Sequence, residues 1–392
     1  MHPTSSPVPP FSWTVATRFA EGRGLISSVT KYRAEVVGSL LRPAYLKQAR
    51  LDLAGDRISV RQFKQIEDRA VDEAIALQQA SGLEVATDGE MRRSGFVAPL
   101  TDYVDGFEAI GLETLPWRRR LAEQTQLPVP FTVTGKLRRR RSLVAEEFIY
   151  ARARARLPLK VTLPSPLMLA LRWSPVFSAE AYPEPFELFA DAAMILRDDI
   201  AELASLGCEY IQVDAPELAT LVDPATRHHV YEAKGISSER LLLEGVDLLN
   251  AIADVAGVTF AIHLCRGNNA GHWMSAGGYE AISKQVFGRL TRYSILLLEY
   301  DDGRSGSFEP LSDIPRDKTV VLGLISTKND ELELVETLTD RFKQAAHYFP
   351  REQMGVSRQC GFASVAAGNP ISPEMQQAKL QLVADLAQRL FG

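Results

Sequence analysis

The sequence predicts an α/β fold, a closed (β/α)8 TIM-type barrel with an insertion between strands 2 and 3, on three observations. A helical stretch that ends at glycine is followed at once by a short apolar run, and this punctuation recurs along the chain. Eight such runs alternate with helical segments, the pattern of a parallel sheet covered on both faces. Their polar residues fall at the C-terminal ends, where barrels gather functional groups. A doubly wound sheet is the competitor, but no G-x-G-x-x-G follows the first strand.

Each element has its own signal. The strand candidates are 35–40, 83–88, 159–164, 210–214, 260–265, 295–300, 320–325 and 354–360. Residues 62–81 place Ile66, Ala70, Ala74 and Leu77 at helical spacing and stop at Gly82. Residues 186–206 repeat the arrangement before Gly207, and 238–256 before Gly257. Glycine accepts the left-handed conformation that ends a helix without a Cβ penalty. The stretch at about 100–157 is too long for a simple helical connection. It holds W-R-R-R (117–120), a strand-like F-T-V-T-G (131–135) and R-R-R-R (138–141), and reads as a hairpin plus helix over one rim. Its arginines suit a solvated, salt-bridged face or, as the alternative, the anionic tail of a substrate. Ser372-Pro373-Glu374 starts a closing helix, with serine as the cap and proline at the first helical position.

Composition narrows the classes. The length of 392 residues allows two average domains or one large barrel. The Pro- and Ser-rich residues 1–30 read as a loose tail, and 31–392 as a single barrel. A net charge of −5 argues against nucleic acid as a partner. No apolar run reaches the ~18 residues needed to cross a bilayer. Three cysteines make no disulfide framework, and the N-terminus lacks a signal-peptide pattern, so a cytoplasmic protein is expected.

The chemistry-bearing residues close the strand candidates. His263 and Cys265, two apart on one strand, point the same way. Glu299 ends a wholly apolar run, where an unpaired carboxylate would be costly, and Cys360 lies in the polar turn S-R-Q-C-G-F. One nitrogen, two sulfurs and one oxygen suit tetrahedral Zn2+. A lone His-x-Cys is by itself more often a satisfied buried pair, so the zinc reading depends on all four meeting. Cys208, directly after a helix-ending glycine, reads as a small core residue.

The ordered set V-G-S-L-L-R-P (37–43), T-D-G-E-M-R-R (87–93), Q-V-D-A-P-E (212–217), H-L-C-R-G-N (263–268), L-E-Y-D-D (298–302) and Q-C-G-F (359–362) resembles the catalytic barrel of cobalamin-independent methionine synthase. The resemblance runs from about residue 30 to the C-terminus. It implies zinc held by His263, Cys265, Glu299 and Cys360, and a homocysteine site made by Ser39, Glu90 and Asp214. Turn capping, or ion pairs with Arg92 or Arg93, is the plainer reading of the two carboxylates. Two departures stand out. The full-length family carries an additional N-terminal barrel for which this chain has no room. Its seventh strand ends in a proton-relaying histidine, where this chain has Ser326, followed by Thr327 and Lys328. Serine cannot replace imidazole near neutral pH. His272, in the loop after the zinc strand, is the candidate substitute, with an ordinary loop residue as its plainer reading, and Lys328 or Tyr300 is a candidate donor to an epoxide oxygen.

The resemblance therefore implies a zinc-dependent methyltransferase in which homocysteine or a similar small thiol attacks a methyl or alkyl donor. Glu299 would loosen as the substrate sulfur binds. Short single-barrel relatives add an alternative, alkylation of a thiol by an epoxide as in epoxyalkane:coenzyme M transferase. A metal-free decarboxylase like uroporphyrinogen decarboxylase is a further one, and a zinc-holding partner without turnover is the non-enzymatic one.

Overall fold

A computed structural model describes residues 32–110, 114–120 and 123–392. The tail expected at 1–30 lies outside the described residues.

Local chemistry sets the helices. Ser59 caps the Val60–Ala80 helix in a reciprocal box with Gln62. The Ser237 and Ser372 side chains cap the Ser238–Ile252 and Pro373–Phe391 helices one way only, each accepting from the third helical N–H. Gly82 and Gly207 take positive φ just past a helix end, as their positions require, whereas the third helix stops at Ile252, earlier than expected, and Gly257 takes positive φ in a separate turn before the next strand.

The strands are, in chain order, β1 (Val104–Glu108), β2 (Thr114–Arg120), β3 (Glu123–Pro128), β4 (Thr132–Arg139), β5 (Val161–Pro164), β6 (Tyr210–Asp214), β7 (Thr259–Leu264), β8 (Ile295–Glu299), β9 (Thr319–Ile325) and β10 (Met354–Arg358). Strands β5 to β10 form one parallel sheet of six, each beside its neighbour in sequence. Their side chains are buried on both faces almost throughout, which is why they read as continuous apolar runs. The architecture is α/β and consistent with a TIM-type barrel relative.

The first two strand candidates, 35–40 and 83–88, shrink to single parallel bridges, Ala34 to Val356 and Ala86 to Leu159. Between them the Glu84 N–H donates to the Ala34 carbonyl (3.3 Å), and the Leu40 N–H to that of Gly89 (3.1 Å). The backbone turns at Gly38, φ +151°, within the first segment and at Gly89, φ +72°, directly after the second. The segment expected to be a hairpin plus helix holds two antiparallel pairs, β1 with β4 and β2 with β3, and then the Leu143–Arg152 helix. Its described arginines are largely paired: Arg118 with Asp223, Arg139 with Asp199, Arg140 with Asp105 and Arg141 with Glu146. Among the described residues no helix is long and apolar enough to cross a membrane.

Candidate active site

Register in the sheet sets the site. Asp214, the last residue of β6, lies beside His263 on β7, so a carboxylate and an imidazole leave neighbouring strand ends together. Cys265 follows β7, and Cys360 follows β10 by two residues. The ligand atoms of His263, Cys265 and Cys360 all lie within 4.8 Å of one another. All three residues are buried, and all three cysteines of the chain are free thiols.

Their electrostatics are those of a donor set. Neither ring nitrogen of His263 has a hydrogen-bond partner, although both are buried. Such atoms are costly unless something outside the chain satisfies them. The hydrogen bond between the two thiols holds Cys360 well below its usual range, with help from His263 and against burial. The same bond, with burial, pushes Cys265 well above it. One thiolate is thus favoured before any ligand arrives. A buried imidazole with two free nitrogens beside two sulfurs is chemistry that fits zinc.

Glu299 is not a member of that group of three. Its Oε1 pairs with Lys328 Nζ (3.3 Å) and the Arg304 guanidinium (3.2 Å), and its Oε2 accepts from the Arg266 N–H (2.7 Å). Burial opposes its charge, but Lys328, Arg304 and Arg266 outweigh burial and hold the carboxyl down at about 2. Its negative charge still reaches His263 and Cys265 and raises both.

A cavity of about 450 Å³ opens over the sulfurs. Ser39, Glu90 and Asp214 line it together with His263, Cys265 and Cys360. Glu90 sits in the left-handed region at φ +57°, after a turn in which its N–H donates to Asp88 Oδ1 (2.9 Å). Such strain costs about 1–3 kcal/mol and persists where the surroundings impose it. Thr162 Oγ1 donates to Glu90 Oε1 (2.9 Å), and Arg93 lies 3.8 Å from the same oxygen, while Oε2 is buried without a partner. The ion pair with Arg93 is therefore present, yet half of the carboxylate remains free. Gly38 is required here, because a Cβ would lie 2.9 Å from Glu90 Oε1. Ser39 Oγ packs against Gly361, where a Cβ would come within 2.1 Å, and accepts the Ala363 N–H. Asp214 accepts from Gln212 Nε2 (2.6 Å). Burial, reinforced by the charge of Glu90 and opposed by His263, pushes its carboxyl up to about 7.

The proton-donor candidates are placed elsewhere. Ser326 and Lys328 line a separate cavity of about 350 Å³. The Ser326 Oγ accepts the Lys328 N–H, and Lys328 clamps Glu299. His272 closes a short turn, its Nδ1 3.1 Å from the Asn269 carbonyl. Tyr300 is wholly buried against Tyr279 and Phe308. Cys208 lies in the core, as expected. Arg304, Arg266 and Glu217 were missed. Arg266 and Glu217 stand inside quoted motifs, whereas nothing local distinguishes Arg304 from other surface-type arginines.

The model of the cobalamin-independent synthase catalytic domain matches residues 33–378. The chain belongs to the cobalamin-independent methionine synthase family. Among its relatives, the uncharacterized protein YxjH of Bacillus subtilis is 35% identical over 370 residues, 92% of this chain and 95% of that one. The methionine synthase of Sulfurisphaera tokodaii is 25% identical over 330 residues, 83% and 84% of the two chains. A crystal structure described as a putative vitamin-B12 independent methionine synthase from Listeria monocytogenes superposes with a TM-score of 0.68 at 26% identity, covering 93% of this chain and 99% of that one. That of a B12-independent methionine synthase from Shewanella, in complex with selenomethionine, gives 0.69 at 20% identity, covering 91% and 97%. Membership supports thiol methyltransferase chemistry with a small thiol and a methyl donor.

Proposed function

We propose that the chain is a zinc-dependent thiol methyl- or alkyltransferase with homocysteine as the leading acceptor. The observation that carries this reading is the meeting of His263, Cys265 and Cys360 over one cavity that the carboxyl groups of Glu90 and Asp214 also line. His263, Cys265 and Cys360 would hold the metal. Zinc there would offset the cost of deprotonating an incoming thiol, so that sulfur reacts as thiolate at neutral pH.

The chain's own residues do the rest. Glu90 and Asp214 face the same cavity and grip the α-ammonium of an amino acid, and Ser39 offers its hydroxyl to the carboxylate. Asp214 is a weaker counter-ion for this task below pH 7, since burial favours its protonated form there. Glu299, held by Lys328 and Arg304, acts as a fixed negative charge beside the donor set, and would have to leave those ion pairs to join the metal. Apolar side chains of the inserted segment, Leu115, Trp117, Leu127, Val129 and Phe131, line the same cavity. They exclude water from the reacting carbon and take the body of the donor. We further infer that the segments around Ala34 and Ala86 complete the six strands to a closed eight-stranded barrel. Residues 32–392 then form one unit, with about 100–157 inserted between its second and third strands.

Zinc content and thiol alkylation test the reading together. Purified protein should hold about one zinc by elemental analysis, and homocysteine should change the metal's X-ray absorption edge. Methyl iodide should alkylate the bound thiol faster than free homocysteine at pH 7. Cys265→Ala and Cys360→Ala should lose zinc and this acceleration in parallel. Protein free of zinc with unchanged thiol reactivity would remove the proposal.

A further inference from the structure

The cavity wall holds a carboxyl group that the reading above leaves without a task. Glu217 lies three residues beyond Asp214, in the short Pro216–Thr220 helix, and is 2% exposed. It lines the same cavity as the donor set. Both of its carboxyl oxygens are buried without a hydrogen-bond partner. The groups that face it are few. Asp214 is the one charge acting on it, and it repels a second negative charge. The Ser165 hydroxyl, before the 166–171 turn, and Glu217's own backbone N–H lie close enough to favour the charged form, but burial outweighs them and neither makes a hydrogen bond of ordinary geometry to it. The phenols of Tyr231 and Tyr293 face it too, but each is engaged, Tyr231 with Thr220 Oγ1 (2.8 Å) and Tyr293 with the Leu249 carbonyl (2.8 Å). No cation is among the groups that act on it. Burial, the largest influence, pushes its carboxyl up to about 8, so it carries its proton at neutral pH.

A proton is what the reaction needs at this place. Ser326 and Lys328 line a different cavity, and neither His272 nor Tyr300 lines this one. We propose that Glu217 is the proton donor to the leaving atom of the alkyl donor. This rests on the thiol-alkylation reading. The sulfur's electron pair forms the new S–C bond, and the C–X bond breaks with its pair passing to X. X takes the Glu217 proton, and the carboxylate regains one from solvent. The donor class that needs this help has a basic leaving atom, an amine nitrogen or an alkoxide oxygen. A donor whose leaving group is a stable anion does not need it.

Two small electrophiles separate the cases in zinc-loaded full-length protein with homocysteine bound: ethylene oxide, whose opening demands a proton, and methyl iodide, which demands none. In wild type the epoxide rate should fall as pH rises through about 8 and should slow in deuterium oxide, while the methyl iodide rate should show neither effect. In Glu217→Gln the ratio of epoxide to methyl iodide rates should fall by about tenfold or more, and Glu217→Asp should restore part of it. A ratio unchanged in Glu217→Gln overturns the assignment. So does an epoxide rate in wild type with no pH limb and no isotope effect, a measurement that needs no variant. If wild type accelerates neither electrophile over free homocysteine, the parent reading has failed and takes the inference with it.

Discussion

The two ends of the parallel sheet are built on opposite rules. At the N-terminal end Lys160, Glu35 and Tyr210 form a closed polar network, all wholly or almost wholly buried. Lys160 Nζ lies 2.9 Å from Glu35 Oε1 and also donates to the Val36 carbonyl. Tyr210 OH donates to Glu35 Oε2 (2.8 Å), and the Val36 N–H to Oε1 (3.0 Å). At the C-terminal end both His263 nitrogens, Glu90 Oε2 and both Glu217 oxygens have no partner. Burial is equal at the two ends, but satisfaction is not. Polar groups that are buried and left open cost stability, and a fold retains them where a ligand completes them. The satisfied end is foundation, and the unsatisfied end is site.

The largest test of this contrast is Lys160→Met. It strands the Glu35 carboxylate, and stability should drop by about 3–5 kcal/mol, measured by urea unfolding of the metal-free protein. Joint replacement of Glu35 and Lys160 by apolar residues should recover much of the loss; if it does not, the network is more than a closed pair. At the other end the sign reverses. Glu217 binds its proton more tightly folded, up to about 8, than in the unfolded chain, near 4.5. The folded state therefore holds the extra proton between those values, and stability falls as pH rises across them. Glu217→Gln should flatten that slope and gain about 1–3 kcal/mol at pH 7. An unfolding series at pH 5, 6, 7 and 8 on both proteins reads it directly, and identical slopes would break the contrast. Asp214→Asn should by the same linkage also gain about 1–3 kcal/mol at pH 7, since its carboxyl is likewise pushed up, to about 7 from about 3.8 unfolded. Its effect on function is a loss: homocysteine affinity, followed by calorimetry, should weaken by about tenfold, the scale of one charged hydrogen bond.

The pattern of helix, glycine and apolar run was legible because it is local. Gly82 and Gly207 each end a helix, Gly257 turns the chain five residues after one, and six of the runs became strands of one sheet with bounds close to those expected. The runs at 35–40 and 83–88 were less so, because the backbone turns at Gly38 within the first and at Gly89 directly after the second. Of the proposed ligands, His263, Cys265 and Cys360 come together, and their motifs stood out in sequence. What sequence could not convey is the grip on Glu299, since Lys328 and Arg304 reach it from separate loops. Glu217 was quoted within a motif and passed over, because a carboxylate on paper carries no sign of its solvation.

By itself, then, the chain determined its alternation of elements, its acidic balance and the residue types able to bind a soft metal, since all of these follow from composition and short-range spacing. The tertiary structure alone decided which of these side chains share a cavity, which are locked in ion pairs and which are left without partners. Those properties arise from burial and through-space contact, where desolvation and neighbouring charge set whether a carboxyl is a counter-ion, a grip or an acid.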